Sequence, residues 1–244
     1  MKYFGTDGIR GKAYDFINED LSFLVGKSLK IFTKEYKTLI ISRDTRESGE
    51  MIVENIKKGA LLAGLNVYDI GVYATPILAF ASETENSLGV MVTASHNPYQ
   101  DNGIKIFKSG LKLHSEDEEL IEEIIDNDID LSEIKPGKEI EINGLIDRYF
   151  NLYQSFDQRK KLNIALDLAN GATIKSALKT LPNFANIKNI IGDKPDGLNI
   201  NENCGSTHLE NLQTLVKDNH LDLGIAFDGD GDRILVIDDV GEIV

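Results

Sequence analysis

Short apolar runs alternate along the chain with amphipathic ones. Leu39-Ile40-Ile41 predicts a buried strand, and it follows a helical pattern in which Leu21, Leu24, Val25 and Phe32 share a face. Ile52, Ile56 and Ala60 mark a second helix, and residues 67–72 and 88–94 predict two further strands. Ser115 followed by Glu118 predicts a capping box, ahead of a helix carrying Leu120, Ile121, Ile124 and Ile125. A charged connector over 126–144, with the turn Lys135-Pro136-Gly137, leads into a helix from about Leu145. Then the alternation resumes: strand 163–167, helix 173–181, strand 188–191, a helix from about His208 and a strand over 221–227. A hairpin is expected at the end, 234–238 against 242–244. Strands alternating with helices predict an α/β layer fold. The domain boundary is expected within 145–160, and no internal repeat or low-complexity tract is visible.

The length of 244 residues, 41% of them hydrophobic, is enough to bury a core without disulfides or a structural metal. Lys and Arg number 26 against 40 Asp and Glu, a formal net charge of −14. An acidic surface repels polyanions, which argues against a general nucleic-acid or anionic-membrane binder. A small phosphorylated ligand stays open, because a local cluster of donors can outweigh the global field. Cys204 is the one cysteine, so no internal disulfide can form, which fits a reducing compartment. The start, MKYFGTDGIRGK, has no apolar core of a signal peptide. No stretch approaches the roughly 18 apolar residues of a bilayer span. A cytoplasmic protein is expected.

The chemistry concentrates in Asp228-Gly229-Asp230-Gly231-Asp232-Arg233, directly after an apolar strand. Carboxylates at every second position, with glycines that let the loop curl, can converge their oxygens on one point. Such hard oxygen ligands suit Mg²⁺ or Ca²⁺, and without a cation they would repel one another. An EF-hand loop is rejected: its sixth and twelfth positions hold Arg233 and Asp239, and strands flank the loop. A plain polar hairpin is the bland alternative.

The run Thr93-Ala94-Ser95-His96-Asn97-Pro98 follows another strand, where open α/β sheets deliver ligand-binding loops. Ser95 and His96 are adjacent, so their side chains are expected to diverge and form no dyad; the run is not a GxSxG elbow either. Alone, a serine in an Asn-Pro turn is more often a turn residue than a nucleophile. Beyond it, Asn102-Gly103 predicts a turn and 104–107 a strand, on which Lys105 faces away from Ile104 and Ile106. Lys105 reads as a proton donor or acceptor, or as an ordinary solvated lysine, the latter favoured by spacing alone. In Gly5-Thr6-Asp7-Gly8-Ile9-Arg10-Gly11 the glycines permit close approach and Arg10 could grip a phosphate. Residues 42–46, Ser-Arg-Asp-Thr-Arg, place Arg43 and Arg46 just after a strand. His114 and His220 are given no role.

Together GTDGIRG (5–11), RDTR (43–46), TASHNP (93–98) with DNGIK (101–105), and DGDGDR (228–233) resemble the α-D-phosphohexomutase superfamily, in that family's order. Within it the chain looks most like the bacterial phosphoglucosamine mutases, on GTDGIRG, DNGIKIF and the run 195–208 ending Gly-Ser-Thr-His. Leu209 stands where proline is usual, and Ser42 where glycine often is. The resemblance implies two successive α/β/α layered domains with mixed sheets: 1–150 with the phosphoserine loop and 151–244 with the metal loop. It implies that Ser95 carries a phosphoryl group, and that Asp228, Asp230 and Asp232 bind Mg²⁺ with an oxygen of phospho-Ser95. Lys105 would be the general acid/base, and Arg10, His96 and Arg233 would bind substrate and phosphate. The implied reaction interconverts glucosamine 6-phosphate and glucosamine 1-phosphate through a 1,6-bisphosphate, feeding UDP-N-acetylglucosamine synthesis. Phosphomannomutase or phosphoglucomutase activity, or a metal- and phosphosugar-binding module without catalysis, are the alternatives. Family members have four domains, so the resemblance also implies an N-terminal portion without the third and fourth, with little turnover alone. Faces left uncovered would favour association, a homodimer being the simplest form.

Overall fold

The structure, a computed structural model, describes residues 2–154 and 161–244. The first layer set contains β1 (Phe4–Gly5), β2 (Gly8–Lys12), α1 (Glu19–Ser28), β3 (Thr38–Arg43), α2 (Gly49–Leu62), β4 (Asn66–Val72), α3 (Thr75–Thr84), β5 (Leu88–Val92), β6 (Asp101–Lys108), β7 (Leu111–Lys112) and α4 (Ser115–Asn127). Helix α5 (Leu145–Asn151) follows. The second set contains β8 (Leu162–Asp167), α6 (Ile174–Thr180), β9 (Ala185–Ile191), α7 (Glu210–Asp218), β10 (Leu223–Phe227) and β11 (Ile234–Ile237). Residues 155–160, inside the expected domain boundary, lie outside the described residues. No helix among those described is long and apolar enough to cross a membrane.

Alternation along the strands builds the layers. In β3, Leu39 and Ile41 face a core with α1, α2 and α4, while Ile40 faces the opposite one with α3. β5 does the same with Leu88, Val90 and Val92 on one side and Met91 on the other. A strand buried on both faces must be central, and β5 is: the first sheet runs β1-β2-β6-β5-β3-β4, with β7 beside β6. β4, β3 and β5 are parallel, and β6 returns antiparallel to β5. The second sheet runs β11-β10-β8-β9, its three strands β10, β8 and β9 parallel and closed by antiparallel β11. Ala165, Ala226 and Ile237 pack on α7, and Ile164 and Leu166 pack on the α6 side. Both sheets are therefore mixed and layered by helices. The carboxyl ends of β3, β5 and β10 point their loops to one place, as open α/β sheets do at ligand sites.

Several local expectations are corrected. The first helix ends at Ser28, and a 3-10 turn over Leu29–Phe32 carries Phe32 inward. The capping box does not form: His114 is the N-cap of α4 and no side chain caps the helix, because Ser115 is already its first helical residue. Leu120 is exposed, while Ile121 and Ile125 are buried. Asn102-Gly103 is not a turn; both lie in β6, opposite Gly11 and Arg10 of β2. Strand pairing overrides the turn preference, and the Asn102 amide donates to Ser48 Oγ at 2.9 Å. The terminal hairpin does form, though short: Ile237 bridges Ile243, Asp238 N–H donates to Glu242 O at 2.9 Å and Val244 N–H to Val236 O at 3.0 Å, while β11 pairs on its other edge with β10.

Candidate functional site

Strand β5 ends at Val92 and hands the chain to Thr93, Ala94 and Ser95. Ser95 has φ 54°, in the left-handed region that L side chains rarely adopt. Its hydroxyl donates to Asp228 Oδ2 at 2.6 Å and accepts from Arg233 Nη2 at 2.6 Å. The loops that follow β5 and β10, strands of different sheets, thus meet on one oxygen. Arg233 also donates through Nε to Asp228 Oδ2 at 3.1 Å.

His96 was expected to diverge from Ser95. Instead His96 Nδ1 lies 3.4 Å from Ser95 Oγ. The left-handed backbone at Ser95 turns the two side chains to the same side. Arg233 Nη2 also donates to His96 Nδ1. Arginine is always a donor, so Nδ1 accepts and the ring proton belongs on Nε2. Partial burial, then Arg233 and Arg10, hold the His96 pKa below the ordinary imidazole value, which favours this neutral form.

The aspartate loop curls at Gly231 (φ 67°), bringing carboxylate oxygens of Asp228, Asp230 and Asp232 within 4.8 Å of one another. Asp228 and Asp230 are fully buried. Burial and the neighbouring Asp230 charge push the Asp228 carboxyl up. Burial would do the same to Asp230, but Lys105 outweighs it and brings Asp230 down. Lys105 Nζ donates to Asp230 Oδ2 at 2.8 Å and Asp232 Oδ2 at 2.9 Å, and lies 3.2 Å from Asp7 Oδ2. Burial opposes its charge, yet the two aspartates raise its pKa overall. Lys105 is 2% exposed, which overturns the solvated reading that spacing favoured.

The donor set fits a divalent cation. Its oxygens are hard ligands, two of the carboxylates repel one another in a buried place, and Asp230 Oδ1 is buried without a hydrogen-bond partner among the described residues. Neither Lys105 nor Thr75, both on Oδ2, reaches that oxygen.

Arg10 lies beside the loop but does not project freely: it pairs with Asp7 and reaches Ala94 O at 3.4 Å. Asp7 also pairs with Lys112. Surrounded by Lys112, Lys105 and Arg10, the Asp7 carboxyl drops to about 2 although burial alone would raise it. A cavity of about 240 Å³ lined by Asp7, Gly8, Lys105, Lys112, Ser115 and Glu118 opens on this side.

Thr75 and Asn201 belong to the site and were missed in the sequence. Thr75 begins α3; its hydroxyl donates to Asp230 Oδ2 at 2.6 Å and its N–H to Asp230 O at 2.9 Å. The signal available was Thr75-Pro76, a helix start with proline at the first turn. Asn201 carries no comparable signal. Arg46, noted only as a basic residue after a strand, is fully buried and paired with Asp44.

Residues 1–131 match phosphoglucomutase/phosphomannomutase α/β/α domain I, and residues 144–241 match α/β/α domain II. The chain belongs to the phosphoglucomutase/phosphomannomutase family. More narrowly, it is 42% identical over 259 residues to the phosphoglucosamine mutase of Aliarcobacter butzleri, covering 100% of this chain and 58% of that protein. The phosphoglucosamine mutase of Streptococcus agalactiae is 42% identical over 256 residues, covering 100% of this chain and 56% of that protein. The chain thus spans under three-fifths of the length of these relatives. A phosphoglucomutase/phosphomannomutase family protein from Burkholderia thailandensis superposes with TM-score 0.85 at 23% identity, over 97% of this chain and 54% of that one, a likeness of fold.

Proposed function

We propose that residues 1–150 and 151–244 are the nucleophile-bearing and cation-bearing domains of a phosphoglucosamine mutase. The reaction is the interconversion of glucosamine 6-phosphate and glucosamine 1-phosphate, a cytoplasmic step toward UDP-N-acetylglucosamine. The observation that carries the reading is the meeting of Ser95 Oγ with Asp228 and Arg233, each at 2.6 Å, across the two sheets. A turn serine needs no such partners.

In this reading Ser95 carries the phosphoryl group. Its Oγ–P bond breaks while a bond forms from phosphorus to the free hydroxyl oxygen of the sugar phosphate, giving a 1,6-bisphosphate. The bisphosphate turns round, the other phosphoryl group returns to Ser95, and the isomeric monophosphate leaves. Transfer of this kind needs charge neutralisation and alignment more than covalent activation. Asp228, Asp230 and Asp232 would hold Mg²⁺ with an oxygen of the Ser95 phosphate, and the ion would supply positive charge against the moving group. Arg233, already on Ser95 Oγ, neutralises the phosphate, and Arg10 exchanges Asp7 for a phosphate oxygen. His96 stays neutral and lines the entry. Lys105 carries the proton: as an ammonium it protonates the departing Ser95 oxygen, and as the amine it accepts the proton of the sugar hydroxyl. Its resting form is the ammonium, so it acts first as the acid.

Because the named relatives are longer, the test reads the loading half-reaction. Incubation with a hexose 1,6-bisphosphate and Mg²⁺ should leave a phosphate on Ser95, seen by peptide mass spectrometry and lost in Ser95→Ala. Lys105→Arg keeps the charge but not the proton exchange and should load roughly 10²-fold more slowly. Absence of label on wild-type Ser95 would falsify the reading. Comparing glucosamine, mannose and glucose phosphates as acceptors from phospho-Ser95 tests the sugar.

A further inference from the structure

The backbone that carries Ser95 is tied down by side chains with no part in the transfer just described. Two carbonyls of the loop each accept two bonds. Arg46 Nη2 donates to Ser95 O at 3.2 Å and to Asn97 O at 2.6 Å. Asn201 Nδ2 donates to the same two oxygens, at 2.9 Å and 3.1 Å. Arg46 comes from the turn after β3, and Asn201 from the loop after β9 in the other sheet. Both are buried.

The amide side of the same residue is held too. Ser95 N–H donates to Thr93 Oγ1 at 2.9 Å, and the Thr93 hydroxyl donates to Asp44 Oδ2 at 2.7 Å. Asp44 is the ion-pair partner of Arg46, so the two holds share one buried unit. Gly229 closes over the top: a Cβ there would stand 2.6 Å from Ser95 O and 3.1 Å from Asn201 Nδ2. A left-handed backbone persists at a non-glycine residue only where its surroundings over-determine it, and these are the groups that do so. Other bonds also join the two domains. Thr45 Oγ1 donates to Asn170 O at 2.5 Å, and Glu47 N–H to Gly197 O at 3.0 Å.

We propose that Arg46 and Asn201 are positioning residues that aim Ser95 Oγ by gripping the Ser95 and Asn97 carbonyls from two domains at once. The inference rests on Ser95 being the phosphoryl carrier. It makes the nucleophile's direction conditional on the two domains being docked, since neither grip alone comes from both. A displacement of about 1 Å at a reacting atom costs about 10²-fold in rate.

The test uses Asn201→Gly and Arg46→Lys in the 244-residue chain. Glycine accepts the φ of 59° at Asn201, so that variant removes the amide without straining the backbone. Lysine keeps a charge beside Asp44 but lacks the rigid planar fork that holds Asp44 and the two carbonyls together. The rate of Ser95 loading from a hexose 1,6-bisphosphate is measured with the bisphosphate's Kd by calorimetry. Each variant is expected to load about 10²-fold more slowly at an unchanged Kd. The double variant should lose less than the product of the two, because both grips act on the same oxygens. Loading at the wild-type rate in Asn201→Gly, or a loss found wholly in Kd, overturns the proposal while leaving Ser95 as carrier. Failure of the wild type to load removes the carrier reading itself. If Arg46→Lys does not fold, Asn201→Gly decides.

Discussion

At the scale of single residues, the site was legible where its chemistry lies in local spacing and hidden where partners are far apart. The aspartates declare themselves within six positions. Lys105 looked like any surface lysine because Asp230, its partner, is 125 residues away. Its environment sets a stability prediction. Removing a buried cation from carboxylates costs about 3–5 kcal/mol. Lys105→Met should therefore lower the Tm of the metal-free chain and gain more Tm from added Mg²⁺ than the wild type does. Equal gains in both would show that the cation and Lys105 do not share the aspartates. Cys204 gives a second reading of burial. Burial first, then Asp167 and Glu202, push its thiol up to about 12. At pH 8 almost none is thiolate, so iodoacetamide should label it only once urea unfolds the chain; labelling of the folded chain at the unfolded rate would refute this.

Among the elements, periodicity found the helices that show one apolar stripe and missed the one that does not. α3, TPILAFASET, packs on the sheet with one side and on α5 with another, so its apolar positions do not form a single stripe. The close crossing of α1 and α2 was also invisible, because it rests on missing side chains. A Cβ on Gly26 would lie 2.2 Å from Ile56 O, and one on Gly59 would lie 2.2 Å from Phe23 O. Alanine is the better helix former by about 1 kcal/mol, yet a clash with helical backbone cannot relax by rotating a side chain. Gly59→Ala should thus be destabilising by about 1–2 kcal/mol in urea unfolding, and a stabilised variant would mean that the helices are free to part. The chain's start is held by α4: Glu122 accepts the N–H groups of Lys2, Tyr3 and Phe4 at 2.7–2.8 Å. Slight burial raises the Glu122 pKa, but these three bonds lower it overall. The folded value is depressed, so this stabilisation is present above the unfolded value of about 4.3 and fades as pH falls through the folded one. Glu122→Gln should cost about 1 kcal/mol at pH 7, with the difference from wild type shrinking toward pH 3. A gap that stays constant down to pH 3 would rule the carboxylate out as the cause.

For the whole molecule, the layered α/β class could be read from alternation alone, whereas the docking of the two sheets could not. That docking is made by single polar side chains such as Thr45, Thr75 and Asn201, which leave no pattern. The net charge of −14 acts at this scale. Self-repulsion opposes the compact state and salt screens it, so raising NaCl from low to physiological strength should lift Tm by about 2–4 °C. A fall in Tm would mean that local ion pairs outweigh the excess charge. Synthesis also meets this architecture in order. Ser95 and Asp228 are 133 residues apart, on the order of ten seconds of translation. Until the second sheet emerges, the serine hydroxyl on the ribosome has neither Asp228 nor Arg233 beside it, and its loop lacks the grip of Asn201. A nascent chain halted before Asp228 would present a serine with no machinery around it. The nucleophile is thereby kept silent until its own electrostatics have been made.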